Sequence, residues 1–108
     1  MFNRSLDMEW RGQKFSVLVT MDLLEEVDEK FNLVHTVAKM TMGDVKFIRL
    51  SRFLAFINMK AGGDISAETF YTDMFGKDES LVADALVLAN KILAAFFPDV
   101  DDGEKKSN

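Results

Sequence analysis

Chemistry needs reactive groups at workable spacing, and this chain offers few. It has one histidine, His35, and no cysteine. Acid–base or metal work by His35 requires carboxylate or imidazole partners, and its sequence neighbourhood supplies no ligand spacing. A lone imidazole between Val34 and Thr36 reads more simply as a surface or structural residue. Glu25, Glu26, Asp28 and Glu29 invite comparison with an acid pair, but consecutive acids early in a helix form a solvated face favoured by the helix dipole. Asp99, Asp101, Asp102 and Gly103 imitate a calcium loop with the glycine at the wrong offset and no closing glutamate. Gly62-Gly63 follows a helical pattern and does not join a strand to a helix, so it is not a phosphate loop. No Gly-x-Ser-x-Gly elbow occurs, and without cysteine the choice of nucleophile narrows further. No catalytic, cofactor or metal site is expected, and the chain reads as a non-enzyme.

The remaining charged feature is a cluster of cations, Lys46, Arg49, Arg52 and Lys60, in a chain of 108 residues with net charge −5 and a pI near 4.8. Nucleic-acid binding needs a positive surface, so a dedicated DNA- or RNA-binding role is disfavoured. A DNA-binding regulator using Lys46, Arg49 and Arg52 ranks third among the readings, with a salt-dependent DNA shift as its requirement. The simpler account is a solvated strip beside a core helix.

Those cations lie in residues 45–60, the stretch around which the chain is organised. On a helix of about 100° per residue, Phe47, Leu50, Phe53, Leu54 and Ile57 gather on one side, and Val45, Ile48, Ala55, Phe56 and Met59 lie roughly opposite. Lys46, Arg49 and Lys60 form one polar strip between them, Ser51 and Asn58 the other, and Arg52 falls within the second apolar set. A helix with two apolar faces must be covered on both, by its own chain or by a partner. The first face is the expected core. Ile48, Arg52, Phe56 and Met59 are the candidate surface for a partner or for self-association. Ten Phe and seven Met add soft apolar bulk suited to adaptable binding as well as to an ordinary core.

The surrounding elements are predicted as follows. Residues 5–10 alternate polar and apolar, residues 11–13 turn with Gly12 at positive φ, and residues 14–20 return as a second strand. Two strands alone are marginal in water, so the hairpin must lie on helices or extend its sheet with another chain. Thr20 or Asp22 caps a helix over 23–30, with Leu23, Val27 and Leu24 facing inward. Phe31-Asn32 breaks it before a short helix or turn over 33–40, and Asp44 is the expected cap of the central helix. Ser66 caps a helix over 67–75 with Phe70, Met74 and Tyr71 inward. Asp78 or Ser80 caps a last helix over 81–97, closed by Pro98. Its stripe of Leu81, Ala85, Leu88, Ile92 and Ala95 is widened by Leu86, Leu93 and Phe97. The fold class is therefore α+β, a β-hairpin on a bundle of four to five helices, with one domain over 1–98 and a polar, unstructured tail over 99–108. No signal peptide or membrane-spanning run is read, and the absence of cysteine fits a reducing cytoplasm.

The order of elements resembles a known family. Trp10-Arg11-Gly12-Gln13-Lys14-Phe15 leads into Thr20-Met21-Asp22-Leu23-Leu24-Glu25-Glu26-Val27-Asp28. An amphipathic helix then reaches Ala61-Gly62-Gly63-Asp64-Ile65-Ser66-Ala67-Glu68, and a long helix ends in Phe96-Phe97-Pro98. Over most of residues 5–98 this is similar to the small tail assembly chaperones of long-tailed bacteriophages, prophages and gene-transfer agents. The resemblance implies a non-enzymatic protein of the bacterial host cytoplasm that binds the tape-measure protein, and sometimes the tail-tube subunit, until the tube polymerises. It also suits a homo-oligomer that contacts neither nucleic acid nor membrane. Many relatives make a longer product by ribosomal frameshifting near the end of the frame, and Gly103-Glu104-Lys105-Lys106 is compatible with an A-rich slippery run. The competing reading is a small structural component, such as a tail or head completion protein, retained in the particle.

Overall fold

A computed structural model describes residues 4–76 and 81–97. In chain order the elements are β1 (Arg4–Trp10), β2 (Gln13–Val19), α1 (Met21–Phe31), α2 (Leu33–Thr41), α3 (Phe47–Lys60), α4 (Ala67–Met74) and α5 (Val82–Phe96). The architecture is α+β, an antiparallel hairpin followed by five helices. The capping roles expected of Asp78 and Ser80, the stop at Pro98 and the tail over 99–108 fall outside the described residues.

The hairpin follows from alternation and from its turn. Arg11 (φ 50°) and Gly12 (φ 84°) both adopt left-handed backbone, the geometry whose twist matches a two-residue connection between antiparallel strands. Trp10 therefore pairs with Gln13, and the register runs back to Arg4 opposite Val19. Gln13, expected in the turn, is the first residue of β2. Leu6, Met8, Trp10, Val17 and Val19 are buried on one face. The other face is polar apart from exposed Leu18, and there the Ser16 hydroxyl donates to Asp7 at 2.6 Å. β1 lies against α5 and β2 against α3, so the hairpin buries its apolar face on helices of its own chain.

Of the two candidate caps of α1, Thr20 acts: its Oγ1 accepts from the Leu23 N–H at 3.2 Å. Leu23, Val27 and Phe31 are buried and Leu24 half-buried. Asn32 is a joint as well as a break. At φ 53° it ends α1 and caps α2, its Oδ1 accepting from the His35 N–H. Asparagine tolerates left-handed backbone better than most residues, which explains its presence there.

The start of α3 differs from expectation. Asp44 is not its cap. Residues 45 and 46 stay outside the helix, the N-cap position is Lys46 with no side-chain hydrogen bond, and Asp44 sits too far upstream to reach the free amides. Asp44 instead pairs with Lys39 and Lys46, each at 3.3 Å. Leu50, Phe53, Leu54 and Ile57 are buried as expected, whereas Phe47 is half-buried.

Ser51 and Asn58, the strip expected to be polar surface, are buried because α4 lies over them. Phe47 meets Phe75, the residue after α4, edge-on at 5.6 Å. At the other end, Asn58 Oδ1 accepts from the Ile65 N–H at 2.9 Å. Both polar groups are satisfied, Ser51 by donating to the Phe47 carbonyl. Ser66 caps α4 by accepting from the Thr69 N–H at 3.1 Å, and Phe70 and Met74 are buried. Tyr71, expected inward, is 41% exposed beside Phe75. In α5 the stripe of Ala85, Leu88, Ile92 and Ala95 is buried with Ala89, Leu93 and Phe96, Leu86 is half-buried, and Phe97 is exposed.

Candidate functional site

The four candidate residues on α3 divide three to one. Ile48 and Met59 are 59% and 55% exposed, and Arg52 between them is exposed and makes no hydrogen bond or ion pair among the described residues. Eleven positions separate Ile48 from Met59, close to three helical turns, so they align on one outward row with Arg52 beside them. Phe56 lies on the border of this row and is half-buried. Its ring meets Phe31 at 5.9 Å, and the Lys30 and Lys60 ammonium groups lie 5.7 and 5.5 Å from its centroid. Phe56 therefore belongs in part to the packing of α1 on α3, with cation–π contacts shielding it from water.

The cations beside the row are tethered. Lys60 pairs with Glu26 at 2.8 Å, and Arg49 donates to the Phe31 carbonyl at 3.1 Å while lying 5.8 Å from the Phe31 ring. Thr36 donates to the same carbonyl, so the end of α1 holds α2 and α3 together. The Asp44 carboxyl is held below its ordinary range, first by hydrogen bonding from Lys39 and then by Lys46.

Two features were not read from the sequence. The first is a cavity of about 380 Å³ between α2 and α3, with Phe31, Met40, Leu50 and Phe53 in its apolar lining and Lys39, Lys46 and Arg49 as its cations. His35 also lines it. Of the α2 residues, only Leu33 is fully buried, and Met40, which lines the cavity, is half-covered. A hydropathy pattern shows which residues are apolar but not how completely neighbours cover them. The second is the exposed aromatic group of Tyr71 and Phe75, 5.0 Å apart, with Phe75 resting on Phe47. Phe75 falls at the end of the helix expected over 67–75 and four residues after Tyr71, but spacing alone does not show that the pair stays uncovered.

Among the described residues, no group of three His, Asp or Glu side chains is placed to hold a metal ion, and no helix is long and apolar enough to cross a membrane. No family model, curated protein or solved structure matches the chain. A functional reading therefore stands on surfaces and side chains alone. What the arrangement offers is non-covalent contact: an apolar row interrupted by the exposed Arg52 guanidinium, carried on a helix whose opposite side is anchored in the core.

Proposed function

We propose that this protein is a bacteriophage or prophage tail assembly chaperone that acts in the host cytoplasm without catalysing a reaction. It holds the tape-measure protein, and in some systems the tail-tube subunit, soluble until the tube forms. The observation that carries this reading is the outward row of Ile48, Arg52 and Met59 on α3. A helix fixed on one side and apolar on the other can lie along the apolar stripe of a second helix, the recognition mode a long helical client requires. Such contacts are reversible when the apolar area is small and flanked by charge, which suits a protein that must release its client. The same row is available to a second copy, so client binding and self-association are alternative uses of one surface.

The test is co-expression with the tape-measure protein encoded beside this gene, followed by affinity capture and mass spectrometry of purified particles. The reading requires that the client become soluble, that it be captured with this chain, and that the chain be absent from mature particles. Capture should fall with Ile48→Glu and Met59→Lys. Unchanged client solubility together with no capture overturns it. Recovery of the chain at stoichiometric level in particles establishes the structural-component reading instead.

A further inference from the structure

Among the described residues the sheet ends at two strands, so each strand presents an open edge. The two-residue connection makes Trp10 and Gln13 a hydrogen-bonded pair, and such pairs recur at every second position of an antiparallel ladder. Met8 with Phe15 and Leu6 with Val17 therefore bond inside the hairpin. The residues between them turn their amides and carbonyls outward: Ser5, Asp7 and Glu9 on β1, and Lys14, Ser16 and Leu18 on β2. Among the described residues no group bonds the N–H or C=O of Lys14, Ser16 or Leu18, and all three residues are exposed.

The two edges differ in how they would meet a second copy of themselves. Two β1 edges centred on Asp7 set Asp7 against Asp7, and like charges directly opposite are destabilising. Two β2 edges centred on Ser16 set Ser16 against Ser16, and Lys14 against Leu18 of the other copy on both sides. The lysine stem can lie on the leucine while its ammonium keeps Glu9, its cross-strand neighbour in the hairpin, as a partner. Every outward amide and carbonyl of both β2 strands is then matched. Centring on Lys14 opposes the two lysines, and centring on Phe15 or Val17 leaves one end unmatched. The inner face favours the same register. Phe15 is half-buried, whereas Met8 beside it on β1 is 3% exposed. Paired about Ser16, Phe15 stands opposite Val17 of the other copy, which closes the apolar face where one hairpin leaves it open.

We propose that the outer edge of β2 is a self-association surface, pairing antiparallel with β2 of a second copy about a two-fold axis through Ser16. The product is a dimer with one continuous four-stranded sheet, in which the same patch serves both copies. The acidic edge of β1 stays unpaired and caps the sheet against further addition. The assignment stands apart from the tail-assembly reading, because it uses none of Ile48, Arg52 or Met59 and makes no reference to a client.

The test uses the full chain over a range of concentrations, with sedimentation equilibrium for its mass and NMR-detected amide hydrogen exchange for the edge. A dimer should form, with the amides of Lys14, Ser16 and Leu18 protected as it forms and those of Ser5, Asp7 and Glu9 still exchanging fast. Leu18→Lys places an ammonium opposite Lys14 in both symmetry-related pairs and should weaken the dimer by about 2- to 30-fold. Leu18→Glu places a carboxylate there and should not weaken it. Leu18 is 55% exposed, so both variants keep the fold, which Trp10 fluorescence checks. Ile48→Glu should leave the dimer intact. The proposal is overturned if the chain is monomeric throughout, or if the β1 amides are protected instead of those of β2. It is also overturned if the two Leu18 variants weaken the dimer equally, because the contact is then an apolar patch without strand register. A dimer broken by Ile48→Glu but not by Leu18→Lys overturns it as well, and puts the contact on α3.

Discussion

Trp10 donates its indole N–H to the Asp73 carboxylate at 2.9 Å, a bond that joins the end of β1 to α4 across 63 positions of sequence. Arg11, the next residue, donates to the other oxygen at 3.0 Å, and the Trp10 ring lies 5.1 Å from Phe70 one turn away. The hairpin turn and α4 are thus fixed to each other by one half-buried carboxylate. Asp73→Ala leaves the indole donor of a buried tryptophan without its acceptor and should destabilise the fold by about 1–3 kcal/mol. Asp73→Asn keeps an acceptor oxygen and should cost less. Urea unfolding followed by Trp10 fluorescence measures both, and equal stability of Asp73→Ala and the parent chain would show that the bond contributes nothing.

Gly63 is held to Asn58 by space as well as by hydrogen bonding. A Cβ at Gly63 would stand 2.3 Å from Asn58 Oδ1, closer than non-bonded atoms come, while that same oxygen caps the Ile65 N–H. Asn58 is nearly fully buried and cannot move aside without abandoning Ile65. Gly63→Ala should therefore destabilise by about 1–3 kcal/mol through overpacking. In a double-mutant cycle, Asn58→Ala should relieve part of that cost, giving a coupling of about 0.5 kcal/mol or more. Strict additivity in urea midpoints would refute the contact.

Much of this fold is legible in the residues. The alternation in β1, the Gly12 turn, the caps Thr20 and Ser66, the break at Asn32 and the buried stripe of α5 all follow from local chemistry, which acts within a few positions. What is not legible depends on tertiary covering. Ser51 and Asn58 read as wet surface until α4 lies over them, and Tyr71 reads as core until Met74 and Phe70 fill the space beneath the helix. Asp44 reads as a cap because a cap is inferred from distance along the chain, while its two lysines come together only through the turn between α2 and α3. For the candidate surface, periodicity separates two apolar faces of α3 without saying which is covered; it is the packing of the hairpin and helices on the other face that leaves Ile48 and Met59 exposed. Periodicity missed that Phe31, across a helix junction, would share Phe56.

The Asp44 pairs predict a modest acid dependence. Because the carboxyl is held below its ordinary value of 3.8 in the folded chain, first by Lys39 and then by Lys46, the stability it contributes is complete above that value. It is lost as pH falls through the lowered folded value. The carboxyl is solvent-exposed, so the effect is small and further reduced by salt. Urea midpoints taken at about pH 6 and about pH 3 should differ less for Asp44→Asn than for the parent chain. An identical difference in both would mean that Asp44 is not held by its lysines.

The border residue Phe56 separates the contact surface from the core experimentally. It packs on Phe31 and lies between two ammonium groups, so Phe56→Asp removes ring contacts and places a carboxylate where the α1–α3 seam closes. That variant should lose about 1–3 kcal/mol of stability. Ile48→Glu and Met59→Lys change only exposed positions, and each places its charge at the helix end whose dipole favours it, so both should stay within about 0.5 kcal/mol of the parent. Thermal or urea unfolding separates the two classes. Loss of client capture by Phe56→Asp alone would then report damaged packing, whereas loss by Ile48→Glu and Met59→Lys at unchanged stability would report the surface itself. If those two variants unfold as readily as Phe56→Asp, the outward row is part of the core and cannot be the proposed contact surface.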